Sequence, residues 1–300
     1  MKKIHVTLAQ IQAFVAVVEV GSFTRASERL GMTQSAVSHA VAALEKELQV
    51  ALVGRDRTGI FLTEIGKRVL INAQDMLMSA ERIRQETSAA VGLQAGKIRL
   101  GSFPSISARF LPGLLRQFRQ RYPGIEVVLF EGTDDEVREW IRTRAVDVGA
   151  VVLPADGLET VSITQDEFLA VVSPGHRLAG QGQIDISELS SEPFIMSKAG
   201  CKPIIEAMFK KARIMPKTQF EIVDLRTIFA MIQEDMGVTI VPAMALPTDC
   251  SGLHVMSLSP QHFRQLAFAV PSLETATPAV AQFLTEAEIW MQSLPSDVTT

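Results

Sequence analysis

Residues 21–39 read Gly21-Ser22-Phe23-Thr24-Arg25-Ala26-Ser27-Glu28-Arg29-Leu30-Gly31-Met32-Thr33-Gln34-Ser35-Ala36-Val37-Ser38-His39. Two helices and the turn between them are encoded here. Ser22 is suited to accept a free amide at the start of a helix. Phe23, Ala26 and Leu30 then recur at helical spacing and face inward. Gly31 ends this helix, because glycine takes the left-handed conformation of a helix C-terminus without steric cost. Thr33 caps the next helix, whose inner face is Val37, Val41, Leu44 and Leu48. Helix, tight turn at Gly31-Met32-Thr33 and helix again is the helix-turn-helix arrangement. Ala26 falls where the two helices cross, and a larger side chain would push them apart.

Upstream, Thr7-Leu8-Ala9-Gln10 fits a capping box, followed by Leu8, Ile11, Phe14, Val15 and Val18 at helical spacing. The outer face of the helix after Thr33 carries Gln34, Ser35, Ser38 and His39, polar and uncharged near the helix start. Gln can pair bidentately with adenine, and Ser with either donors or acceptors, so this row can read base edges in a major groove. The alternative is the small-polar surface of an ordinary helical bundle. Residues 52–63, Leu-Val-Gly-Arg-Asp-Arg-Thr-Gly-Ile-Phe-Leu-Thr, tip the balance. They read as two short strands around a turn that carries Arg55 and Arg57, a wing placed to lie along a phosphate backbone.

From Phe14 to Gly66 the pattern resembles the LysR-type transcriptional regulators. It is carried by Gly21-Ser22-Phe23, Ala26-Ser27, Leu30, Thr33-Gln34-Ser35-Ala36-Val37-Ser38, Val41, Leu44-Glu45, Leu48, Val53-Gly54-Arg55 and Leu62-Thr63-Glu64-Ile65-Gly66. One departure is Val53, where the family usually has Phe, a packing change that leaves the DNA assignment in place. The resemblance implies a winged helix-turn-helix over residues 1–65. It also implies promoter DNA as partner and Gln34, Ser35, Ser38, His39, Arg55 and Arg57 as its contacts.

Glu64 suits the positive end of a helix that starts after Thr63. Val69, Ala73, Met76, Ala80, Ile83, Thr87 and Ala90 follow at alternating spacings of four and three, a heptad seam for helix pairing. The alternative is a long amphipathic helix packed on its own domain. In the resembled family this helix, here 66–92, pairs two subunits. Val69, Met76 and Ile83 are therefore expected at the seam of a homodimer, with a dimer of dimers implied as the assembly, and residues 92–96 as a hinge.

From Lys97 the pattern changes. Strand-like runs at 98–101, 127–130, 146–152, 168–172, 194–196, 220–223, 238–241 and 266–270 alternate with amphipathic stretches at 109–121, 135–144, 203–212 and 225–234. This is α/β architecture with largely parallel sheets, whose ligands sit beyond the carboxyl ends of strands. The resemblance continues through Lys97-Ile98-Arg99-Leu100-Gly101, Leu111-Pro112, Arg119 with Tyr122-Pro123, Asp147-Val148-Gly149-Ala150-Val151 and Gly237-Val238-Thr239-Ile240-Val241-Pro242. It implies an effector-binding domain over 93–300, two-lobed like periplasmic binding proteins. Lobe I spans roughly 97–167 and 268–300 and lobe II roughly 168–267, with a cleft between them.

Three loops should line that cleft: Ser102 with Pro104, Ser105 and Ile106; Thr133; and Ser197 with Cys201. Hydroxyls and free amides at helix starts would there suit a small anionic effector. The alternative is that these Ser and Thr residues only cap helices. Arg109, Lys198, Lys202 and Arg226 could add charge or merely be solvated. Cys201, just ahead of a helix and between Lys198 and Lys202, could carry thiolate character. Some members of the resembled family sense oxidants through a cysteine in this loop, so a redox-sensing regulator stands as an alternative. A DNA-binding architectural protein without ligand is another.

Composition bounds these readings. The net charge is −4, yet residues 1–68 hold nine Lys/Arg against six Asp/Glu and the remainder twenty against twenty-seven. A basic head on an acidic body keeps the footprint for phosphate local. No run of eighteen apolar residues and no signal-peptide pattern is present, so a cytoplasmic protein without membrane association is expected. Two cysteines, Cys201 and Cys250, are too few for a disulfide framework, and no metal-ligand spacing occurs, so neither metal nor cofactor is expected. The five histidines lack catalytic partners in sequence and no nucleotide-binding or hydrolase motif occurs, so no enzyme is expected.

Overall fold

The computed structural model describes residues 5–56, 59–90 and 95–293. The chain divides into two compact units, Met1–Leu93 and Gln94–Thr300.

The first unit contains α1 (Leu8–Val20), α2 (Phe23–Leu30), α3 (Gln34–Leu48), β1 (Val53–Asp56), β2 (Gly59–Leu62) and α4 (Glu64–Ala90). Each helix starts where a side chain satisfies its free amides. Thr7 and Gln10 exchange reciprocal bonds, with Gln10 N donating to Thr7 Oγ1 at 3.3 Å and Thr7 N to Gln10 Oε1 at 2.8 Å. Ser22 Oγ accepts from Arg25 N at 3.4 Å and Thr33 Oγ1 from Ala36 N at 3.2 Å. Each such cap is worth about 1 kcal/mol. Gly31 sits at φ 63°, the left-handed conformation that closes α2 and sets the turn into α3. Phe14, Val17, Ala26, Val37 and Leu44 close the core without solvent exposure. Glu45 Oε1 accepts from Leu52 N at 2.7 Å and Val53 N at 3.1 Å, tying the antiparallel β1–β2 hairpin to α3. Thr63 Oγ1 accepts from Gly66 N at 2.9 Å and starts α4.

The second unit contains β3 (Gly96–Ser102), α5 (Pro104–Arg109), α6 (Leu111–Arg121), β4 (Ile125–Glu131), α7 (Asp134–Arg142), β5 (Val148–Val152) and β6 (Glu159–Val172). There follow β7 (Gln183–Asp185), β8 (Pro193–Ser197), α8 (Lys202–Lys211), β9 (Lys217–Ile222), α9 (Leu225–Gln233), β10 (Thr239–Pro242), β11 (His254–Ser259), β12 (Phe263–Val270) and α10 (Pro278–Ser293). One core gathers Leu100, Phe118, Phe268 and Phe283; another gathers Phe168, Phe194, Phe209 and Ile240. Two strands pass between these cores. β6 contributes Ile163 to the first and Phe168, Ala170 and Val172 to the second, and β12 runs antiparallel beside it from Phe263↔Glu167 to Val270↔Glu159. On its far side β12 pairs β5, while β6 beyond Glu167 pairs β10 and β11.

The sheets are mixed, which corrects the expectation of largely parallel ones. β3 pairs β4 and β5 in parallel and β8 pairs β9 in parallel, but every pairing of β6 and β12 is antiparallel. The helix expected over 109–121 is two helices, broken at Phe110, whose ring is buried in the first core. The strand expected at 168–172 starts nine residues earlier, at Glu159.

Candidate functional site

In the first unit, the start of α3 is open to solvent. Gln34, Ser35 and His39 are exposed and Ser38 is half-buried, while Val37 and Val41 on the opposite face are in the core. The Ser35 hydroxyl shares a 3.1 Å hydrogen bond with that of Thr33, so it is held beside the cap. Thus α3 presents an uncharged polar row at its positive end. Arg57 lies outside the described residues, as does the side chain of Arg55, whose backbone pairs with Ile60.

Along α4, Val69 is half-buried against the core of its own unit and Ala73 fully so. Met76 and Ile83 are 46% and 63% exposed. The first part of the expected seam is therefore occupied by the unit's own core, and the unpartnered apolar stripe is its second part. Residues 92–94 of the expected hinge lie outside the described residues.

In the second unit two adjoining cavities, of ≈ 20 Å³ and ≈ 110 Å³, share Phe103, Ala199, Cys201 and Arg264 as walls. Arg264 comes from β12 and Phe103 follows β3, whereas Ala199 and Cys201 belong to the turn between β8 and α8. The guanidinium is the organising group. Arg264 Nε and Nη2 donate to Asp166 Oδ2 at 2.9 and 2.6 Å, and Nη2 also to Ser105 Oγ at 2.7 Å. Nη1 reaches Cys201 Sγ at 3.7 Å, and the guanidinium carbon lies 5.2 Å from the Phe103 ring centre. Asp166 Oδ1 accepts from Met244 N at 3.0 Å. Such pairing is what permits two ions to be buried.

The expected ligand residues divide. Ser105, Pro104 and Ser197 line the smaller cavity, Thr133 the larger, and Cys201 both. Ser102 and Ile106 line neither. Ser102 is the fully buried last residue of β3, its Oγ donating to Phe103 O at 3.4 Å, and Ile106 is the inward residue of α5 in the first core. Thr133 is a working cap: Oγ1 accepts from Glu136 N at 3.3 Å and donates to Glu136 Oε2 at 2.9 Å. Burial pushes the Cys201 thiol up, with the Arg264 charge opposing. Lys198 and Lys202 do not depress it, because both ammonium groups turn to Glu221, at 3.7 and 2.5 Å. Arg109 and Arg226 line neither cavity and are exposed.

Arg264 and Asp166 were not foreseen from sequence, whereas Phe103 lies within the first of the expected loops. A signal existed for both charges. In β12 Arg264 shares its face with Leu266 and Phe268, and in β6 Asp166 shares its face with Phe168 and Ala170, so alternation buries both charges. Among the described residues, no group of His, Cys, Asp and Glu could hold a metal ion, and no helix is long and apolar enough to cross a membrane.

Comparisons with known proteins bear on both units. The family model for the LysR substrate binding domain matches residues 92–291, and that for the bacterial regulatory helix-turn-helix protein, lysR family, matches residues 8–67. The uncharacterized HTH-type transcriptional regulator YvbU of Bacillus subtilis (strain 168) is 38% identical over 281 residues, 93% of this chain and 96% of its own length. Among solved structures, HinK, a LysR family transcriptional regulator from Pseudomonas aeruginosa, is 25% identical with a TM-score of 0.61, covering 97% of this chain and 99% of that one. A full-length, singly substituted OxyR, also from Pseudomonas aeruginosa, superimposes with a TM-score of 0.80 over 99% of this chain and 100% of its own, at 21% identity, a likeness of fold.

Proposed function

The chain belongs to the LysR family of bacterial transcriptional regulators, and from that membership we propose how its residues divide the work. It is a DNA-binding regulator with an effector-binding domain. Gln34, Ser35, Ser38 and His39 read base edges from the start of α3, and Arg55 and Arg57 hold the wing to phosphate. Met76 and Ile83 pair α4 with that of a second copy, two such dimers associate, and the assembly acts on promoter DNA in the cytoplasm. The effector occupies the cavities around Arg264, with Pro104, Ser105, Thr133, Ser197 and Cys201 as walls. It acts by binding one arrangement of the assembly better than another, and shifts the balance by no more than that difference. Catalysis has no part in this reading.

The observation that carries the reading is the exposed, uncharged polar row at the N-terminal end of the second helix of the helix-turn-helix. The experiment is selection of duplexes from a randomised pool by the full-length protein. The expected product is one consensus with two-fold symmetry, as a dimer reading two half-sites requires. Recovery of unrelated sequences with equal affinity would overturn it and favour an architectural role.

A further inference from the structure

The larger cavity, ≈ 110 Å³, has space for about ten water-sized positions at most. It therefore suits a ligand of about ten heavy atoms or fewer. Its walls carry two chemically distinct groups. One is Arg264, 5% exposed, whose Nε and Nη2 are committed to Asp166 and Ser105. Its Nη1 makes only the 3.7 Å contact with sulfur, so one Nη1 N–H has no partner among the described residues. Beside it, the amides of Gly200 and Cys201 donate to nothing among the described residues. Gly200 has φ +95°, and a Cβ there would lie 3.8 Å from Thr133 Cβ and Asp134 N, so this turn directly faces the start of α7. Successive free amides in such a turn, with a buried guanidinium, form a seat for a carboxylate.

The first turn of α7 also lines the cavity. The Asp134 carboxylate is consumed by Arg138 Nε at 2.6 Å and Val152 N at 2.7 Å, and Glu136 by Thr133. Asp135 also lines the cavity, and its carboxylate has no partner among the described residues. Arg264 is neutralised by Asp166 and Asp134 by Arg138, whereas Asp135, exposed to solvent at the cavity's edge, pairs with no cation among the described residues. A plain carboxylate or dianion would find its donors but leave Asp135 without a cation. A simple cation would pair Asp135 and leave a buried guanidinium N–H unused, at a cost.

We propose that the ligand taken here is a small zwitterion of α-amino-acid type, its carboxylate on Arg264 Nη1 and the 200–201 amides and its ammonium on Asp135. The assignment rests on the reading of this cavity as the effector site. It refines the expectation of an anionic effector by adding the cationic end.

The test is calorimetry and thermal shift on the full-length protein. The probes are the common L-amino acids, each beside its deaminated hydroxy acid and its decarboxylated amine. At least one small amino acid is expected to bind, with both counterparts at least tenfold weaker. Asp135→Asn should weaken the amino acid at least tenfold while the hydroxy acid binds no worse, and Asp135→Glu should restore the amino acid. A hydroxy acid that binds wild type as tightly as its amino acid, or unchanged amino-acid affinity in Asp135→Asn, would overturn the proposal. A parallel panel of dicarboxylates and sugar phosphates separates the two layers. If one of these binds and Ala199→Trp abolishes it, the cleft is the effector site and the zwitterion class is wrong. If no compound of either panel binds, both readings fall.

Discussion

Arg264 and Asp166 stand directly opposite each other on β12 and β6, with Nη2 2.6 Å from Oδ2. They are 5% and 3% exposed, within the two strands that pass between the cores of the second unit. Arg264 thus ties a wall shared by both cavities to the strands that pass between the cores. The pair's cavity-facing side is Ser105, Cys201 and the Phe103 ring; its other side is the Met244 amide.

Breaking this pair from one side leaves an ion buried without its partner. Arg264→Ala and Asp166→Ala should each lower the unfolding free energy of the effector domain by roughly 3–5 kcal/mol. Arg264→Met with Asp166→Leu should cost much less than either single change, since no unpaired charge is left behind. Urea denaturation of the three variants measures this. Single variants within about 0.5 kcal/mol of wild type, the range of an ordinary surface change, would show that the pair is not desolvated.

The two classes of DNA contact separate by salt and sequence. Gln34→Ala should relax preference at one base pair, with about 1–3 kcal/mol of discrimination lost. Arg57→Ala should weaken binding to all sequences and reduce the salt slope by about one. Fluorescence anisotropy on the selected site and its single-base variants, at several KCl concentrations, reads both. Wild-type affinity and selectivity in both variants would place the reading face elsewhere.

On α4, Met76 and Ile83 are a heptad apart and exposed at 46% and 63%. Glutamates at both positions would bury two unpaired charges if these residues meet a second helix, which is costly. Sedimentation of Met76→Glu/Ile83→Glu should show smaller species, with operator binding lost. An unchanged mass distribution refutes the pairing.

Local rules made the first unit legible. The caps at Thr7, Ser22 and Thr33, the glycine closure at Gly31 and the inward row Val37, Val41 and Leu44 all follow from residues within one turn of each other. The cavity was only partly legible. Ser105 and Cys201 stand where loops following strands could be read, but Arg264 and Asp166 meet through strand register across 98 residues. That register depends on a crossover that no local spacing encodes. β6 escaped recognition over 159–167 because Glu-Thr-Val-Ser-Ile-Thr-Gln-Asp-Glu is polar enough to resemble a loop, while its buried charge has its counter-ion on another strand. Val69 shows the converse. Heptad spacing gave a seam, but the same spacing serves the unit's own core, and only packing decides between them.

Cys201 decides whether the second unit senses by binding or by covalent chemistry. Desolvation raises its thiol pKa, and the guanidinium 3.7 Å away opposes without overcoming that effect. The thiolate is the nucleophile toward alkylating agents and peroxide, so a raised pKa means little of it at neutral pH. Peptide mass spectrometry after timed iodoacetamide treatment should therefore show Cys201 labelled more slowly than a free small thiol at pH 7. Its rate should climb only in a range more alkaline than that of an ordinary thiol. The sign carries over to stability. A pKa raised in the fold gives a contribution that is complete below the unfolded value and disappears as pH rises through the folded one. Wild type should consequently lose stability in alkali more steeply than Cys201→Ala, a comparison that a urea series at rising pH reads directly. Cys201→Ser should leave promoter binding in mild peroxide as it is in wild type. Rapid labelling of Cys201 at pH 7, or a peroxide response abolished in Cys201→Ser, would make the thiol a reactive centre and displace its role as a cavity wall.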